Sequence, residues 1–194
     1  MKNYIFIFFV LFFYINTFSQ NSYIVSKKGE KTFIDDNSVQ VLFIDRRISY
    51  SLPGKTWEKY IKFEDLDYAE LGSSLLKSFN LNKNKKSSVF YVYGEKDDKL
   101  LIGLQITATF SSNTRTRSFE NYYLHVVDKE QMIIESVVFD SKPVDTKNNE
   151  KSKIVPLIEK YFSDCPEMMA KLDKYRGETI LDIFTDTTYN NCKK

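Results

Sequence analysis

Between residues 88 and 140 the chain alternates apolar and polar side chains through four successive runs. The clearest is Lys99 to Phe110, where Leu100, Ile102, Leu104, Ile106, Ala108 and Phe110 fall on one side and Gln105, Thr107 and Thr109 on the other. A period of two predicts a long strand with one buried face. Val89 to Tyr93 precedes it across the polar turn Glu95–Asp98, and Phe119 to Val127 follows the polar tip 111–117. Met132 to Phe139 then comes after the turn Asp128–Gln131. Four strands joined by short polar turns predict an antiparallel meander.

Upstream the runs are shorter. Tyr23-Ile24-Val25 and Lys31 to Ile34 flank Lys28-Gly29-Glu30 and predict a hairpin. Ser38 to Ile44 is apolar on both faces, the pattern of a central strand. Pro53-Gly54 marks a turn, and Trp57 to Phe63 alternates until Glu64-Asp65-Leu66-Asp67 interrupts it. Tyr68 to Leu71 and Ser74 to Leu76 are further short apolar segments, and Asn80 to Ser88, rich in Asn and Lys, predicts a mobile loop.

From Ser152 the period changes. Ile154, Leu157, Ile158, Tyr161 and Phe162 form one helical stripe, with Ser152 placed to cap it. Pro166 opens a second helix carrying Met168, Leu172 and Tyr175 inward and ending at Arg176-Gly177. Glu178 to about Asp186 predicts a third, burying Ile180, Leu181 and Phe184. The expected fold is α+β and mostly β: an antiparallel meander or partly closed β-barrel with a short C-terminal helical tail over about residues 152–190.

The first twenty residues have a different logic. Lys2 is followed by an apolar run from Tyr4 to Ile15 and then Thr17-Phe18-Ser19-Gln20. A run of about a dozen residues is too short to span a bilayer, which takes roughly 20. With a positive start and small residues at 17 and 19, it reads as a signal peptide, 1–19, cleaved before Gln20. No cysteine adjoins that junction, so lipid anchoring there is excluded. The remaining 20–194 is expected to be a single β-rich domain with no membrane span, in the periplasm or secreted.

Composition narrows the partners. The whole chain carries 28 basic and 26 acidic side chains, a net +2. So even a balance gives no long-range field to gather nucleic acid. Aromatic residues are abundant, 13 Tyr and 16 Phe with the single Trp57, and suit pleated, half-buried surfaces. Cys165 and Cys192 are an even pair. In an oxidising compartment they predict a disulfide closing about 28 residues, worth about 3–4 kcal/mol on the chain-entropy view. Two buried, unpaired thiols are the alternative.

Motifs for catalysis are missing. The lone histidine, His125, lies in an alternating strand beside Asp128 and Glu130 and reads as a partly exposed sheet residue. There is no Gly-x-Ser-x-Gly elbow, Cys-x-x-Cys or His-Glu-x-x-His, and one His with two Cys is short of a zinc site. Glu64, Asp65, Asp67 and Glu70 are the densest carboxylates but lack the spacing of a calcium loop. Lys83-Asn84-Lys85-Lys86 and Arg115-Thr116-Arg117 read as solvated loop charges, and six scattered glycines make no phosphate cradle. No catalytic, cofactor or metal residue is assigned, and no cofactor is expected.

The segments Phe162-Ser163-Asp164-Cys165-Pro166-Glu167-Met168 and Tyr189-Asn190-Asn191-Cys192, with Ser19-Gln20 and Tyr23 to Gly29, resemble the two ends of small exported, uncharacterised proteins of low-GC Gram-negative bacteria. The resemblance implies export and a tail disulfide and carries no activity. The expected function is a non-enzymatic binding or envelope-associated module, with an unknown envelope protein or a small apolar ligand as partner. The alternatives are a carboxylate-based hydrolase or an effector or immunity-type protein.

Overall fold

A computed structural model describes residues 22–112, 115–140 and 151–192. The signal segment 1–19 lies outside them. Among the described residues, the main sheet runs in the order β11-β10-β9-β8-β7-β6-β1-β2. Its strands are β1 (Tyr23–Ser26), β2 (Lys31–Phe33), β6 (Leu66–Leu71), β7 (Ser74–Phe79), β8 (Ser88–Lys96), β9 (Lys99–Ser112), β10 (Arg115–Val127) and β11 (Ile133–Asp140). Neighbours along this path are all antiparallel, and the sheet stays open rather than closing into a barrel. The predicted meander is β8 to β11.

Between β2 and β6 the chain makes an excursion into a three-stranded sheet, β3 (Gln40–Leu42), β4 (Arg47–Ser51) and β5 (Glu58–Lys62). β3 is an edge strand there, which corrects the expectation of a central one: its Val41 and Leu42 are only half-buried. The central strand is β4, where Ile48, Ser49 and Tyr50 are all buried. It lies between β3 and β5, and Arg47, Ser49 and Ser51 around Ile48 and Tyr50 hide it in the sequence.

Two layers lie side by side on one face of the main sheet. The small sheet covers β1, β6 and β7 through Ile24, Ile34, Ile48, Tyr50, Phe63, Leu66, Ala69 and Leu76. Helices α1 (Ile154–Phe162) and α2 (Pro166–Lys174) cover β8 to β11. Ile154, Leu157, Ile158 and Phe162 are buried as the helical spacing predicts, against Tyr93, Leu101, Leu124 and Val137. The N-cap position falls on Lys153 rather than the expected Ser152, and the Lys153 side chain makes no capping hydrogen bond. The third helix is a 3-10 stretch, Gly177–Phe184, not an α-helix.

Leu101 is fully buried under the helices, while Ile102 and Leu104 are buried on the opposite face with Phe79, Phe90, Val92 and Val127. Strand β9 is therefore covered on both faces in its first half, not on one. The residues of the second face fill the space under the first part of the Leu100-to-Phe110 stretch.

The β7–β8 connection is held, contrary to the loop expectation. Its residues 81–83 form a 3-10 turn bound to the β10–β11 turn, with Asn82 N donating to Gln131 O (3.0 Å) and Ile133 N to Asn82 Oδ1 (2.9 Å). Leu81 packs on the Phe79 and Phe90 cluster.

At the C-terminus, Lys171 lies buried with its ammonium 4.8 Å from the Tyr93 ring centre, donating to the carbonyls of Asp186 and Thr188 and facing the Asp186 carboxylate at 3.5 Å. The last strand, β12 (Asn190–Asn191), pairs in parallel with β8 at Gly94 and Glu95, beyond the point where β7 ends. Cys165 and Cys192 form the expected disulfide, Cα–Cα 5.2 Å.

Candidate functional site

Where the small sheet meets the β1–β2 hairpin, the two layers part and leave an open cleft of about 540 Å³. Ile24, Tyr50 and Ile61 line its apolar part, while Thr32, Ser26 and Tyr60 form the walls. Lys27, Lys28 and Glu30 of the hairpin and Glu64 and Asp65 of the β5–β6 turn supply the charged rim. The geometry follows from the strands. Ile48 pairs with Ile61, so β4 and β5 turn the same apolar face inward, and Ile24 pairs with Thr32 on the facing hairpin. Lys27 N donates to Asp65 O at 2.8 Å and ties hairpin to turn.

Two hydroxyl groups of the cleft have distinct settings. Ser26 Oγ accepts from Lys28 N (3.3 Å) and Glu30 N (3.2 Å), which commits it to the turn. Burial raises the Tyr50 phenol above its ordinary pKa, so at neutral pH its hydroxyl remains protonated and can donate. Tyr60, 61% exposed, offers a ring at the mouth with the Arg47 guanidinium 5.1 Å from its centre. The volume lies in the range of small-ligand sites, and the lining is mixed: Ile24, Tyr50, Ile61 and Tyr60 face seven polar or charged residues. No protein-family model, curated protein or solved structure matches the chain.

The sequence-level candidates are distributed as follows. Glu64 and Asp65 reach the cleft rim; Asp67 is half-buried and Glu70 is exposed on β6, beside Tyr23 in the pairing of β1 with β6. Among the described residues no group of three His, Cys, Asp or Glu is placed to hold a metal. Lys83, Lys85 and Lys86 are exposed, and the side chains of 115–117 lie outside the described residues. Tyr50 and Thr32 carry no motif in the sequence; the alternation of Ile48 and Tyr50 is the one signal there. A second, smaller cleft of about 200 Å³ lies at the β8–β9 turn, among Lys77, Glu95, Asp97, Lys99 and Asp128.

His125 corrects another expectation. It is buried, 6% exposed, with the Phe90 ring 5.6 Å away and Nδ1 without a hydrogen-bond partner. Burial pushes its pKa down from 6.5 to about 4. Between those two values the unfolded chain binds a proton that the folded chain does not, so stability falls as pH drops through that window, by on the order of 3 kcal/mol. Urea unfolding at pH 7 and pH 4.5 should show this loss in the native chain and a flattened dependence in His125→Phe. An equal slope in both would refute the assignment.

Proposed function

We propose that the chain is an exported binding module, periplasmic or secreted, that takes a small amphipathic ligand between its two sheets. The observation that carries this reading is the cleft itself, apolar at Ile24, Tyr50 and Ile61 and charged only at its rim. A disulfide is compatible with an oxidising compartment, and among the described residues no helix is long and apolar enough to cross a membrane. The signal-like start and the resemblance of both chain ends support export. The carboxylates Glu30, Glu64 and Asp65 sit on the exposed rim and not against the apolar floor, which favours binding over hydrolysis.

The test is a fluorescence titration of the chain with 8-anilino-1-naphthalenesulfonate, an apolar ring system bearing one anionic group. Saturable one-site binding is expected, weakened about tenfold by Ile61→Glu, a change that sets a charge against the apolar lining. Circular dichroism would establish that the variant stays folded. Absence of saturable binding, or equal affinity in a folded Ile61→Glu chain, would overturn the proposal. Intact mass of the native protein should begin at Gln20.

A further inference from the structure

The C-terminal strand is built differently from every other strand of the main sheet. It is two residues long, runs parallel to β8, and occupies the edge that β7 leaves uncovered. A strand so short has little stability of its own. Up to Thr188 the tail is fixed by Lys171 and by the Ser74 hydroxyl, 2.6 Å from Thr187 Oγ1. Beyond that point the tail is held to its neighbours by Tyr189 N donating to Ser73 O (2.9 Å), the Tyr189 hydroxyl to Glu95 (2.7 Å), Asn190 Nδ2 to Tyr93 O (2.9 Å) and Met168 Sδ (3.5 Å), and Cys192 N to Glu95 O (2.8 Å). The disulfide then joins the end of this strand to Cys165.

The two sulfurs have unequal settings. Cys165 is 1% exposed and its backbone is held from both sides, Cys165 N donating to Phe162 O and Met169 N to Cys165 O. Cys192 is partly exposed on the tail. Each sulfur also lies near an acceptor that a disulfide cannot use and a thiol can: Glu167 Oε2 is 3.7 Å from Cys165 Sγ, and Asn190 O is 3.8 Å from Cys192 Sγ. The dithiol form thus finds hydrogen-bond partners in place.

We propose that Cys165–Cys192 is a thiol-controlled latch, and that its reduction releases residues 189–192 from β8 while the rest of the fold persists. The co-reactant is a dithiol. Its thiolate attacks the accessible Cys192 Sγ, the S–S bond breaks, and the electron pair leaves on Cys165 Sγ, which takes up a proton. The second thiol of the reagent, losing its proton, displaces Cys192 Sγ from the mixed disulfide. The protein gains two thiols, and the reagent becomes an internal disulfide. Release uncovers the β8 edge at Gly94 and Glu95 and withdraws the Tyr189 hydroxyl from Glu95, a wall residue of the smaller cleft.

Amide hydrogen exchange of the whole chain with and without dithiothreitol tests this. Exchange over 189–192 and at the facing edge of β8 is expected to accelerate at least tenfold on reduction, with Leu101 to Leu104 and Leu124 to Val127 unchanged. Cys192→Ser, which has no bridge, should match the reduced native chain and be unaffected by the reagent. Unchanged protection of the tail after reduction would overturn the latch. So would loosening of β9 and β10 as well, which would make the bridge a staple of the whole fold. If Cys192→Ser does not fold, the latch also fails, since reduction of the native chain must then unfold it too.

Discussion

Replacing Asp186 with alanine is expected to destabilise the fold by about 3 kcal/mol or more, the range for stripping one partner from a buried ion pair. Its carboxylate faces Lys171 at 3.5 Å, accepts from the Tyr175 hydroxyl at 2.8 Å, and also lies 3.5 Å from Lys174. Burial alone would raise its pKa. The hydrogen bonds from Tyr175 and Thr188 and the charge of Lys171 outweigh that and hold it well below the usual carboxylate range. Its contribution is therefore complete above pH about 4 and is lost only as pH falls further, so it separates from the His125 window above it.

The reverse substitution should cost less. Lys171→Met removes a side chain that is 5% exposed and replaces it with an apolar one of similar length. Asp186 then keeps Lys174 and Tyr175, whereas Lys171 opposite alanine has only carbonyls and the Tyr93 ring. Denaturant midpoints should rank native above Lys171→Met above Asp186→Ala. The opposite order would mean that the lysine, not the carboxylate, carries the local stability.

Gly103→Ala is the second large effect, a loss of about 2–3 kcal/mol from overpacking. A Cβ at this position would come within 2.4 Å of Tyr93 Cε2, 3.0 Å of the Tyr123 carbonyl oxygen and 3.2 Å of Leu124 Cδ1. The ring cannot simply step aside. Tyr93 is fully buried, donates to Phe184 O at 3.1 Å, and has the Lys171 ammonium on its face. Tyr93→Leu should therefore recover part of the loss in a Gly103→Ala background, a coupling measurable by a double-mutant cycle. Simple additivity of the two changes would show that the glycine serves some other purpose.

These two sites also show what the sequence hides. The alternation of Leu100, Ile102 and Leu104 was legible because each strand residue turns to the opposite face from its neighbour, and so were the helical stripes at Ile154 and Met168. Coverage of Leu101 and Gly103 on the other face was not, because it depends on which later segment docks there. The same reason misplaced His125: a strand pattern gives its side but not what lies above it, and Phe90 comes from a strand two places away in the sheet. Strand β4 escaped since Ile48 and Tyr50 are only two apolar positions, set among Arg47, Ser49 and Ser51, too few to mark a strand by alternation. The cysteine pair was accessible from count and compartment. The cleft was not, since it exists only where two separately coded sheets diverge.

The small sheet has one more implication. The chain departs from the main sheet after β2 and rejoins it at β6, and both of these strands flank β1. Entry at Phe33 lies beside Tyr23 and exit at Leu66 beside Ser26, so the two points are two strand spacings apart across the sheet and three residues apart along it, on the order of 14 Å. A change of length confined to the exposed β4–β5 turn would leave both ends in place, whereas loss of the whole segment would strip Ile48, Tyr50 and Phe63 from the core. Variation in length is therefore expected at that turn and not in the apolar face that the small sheet presses onto β1, β6 and β7.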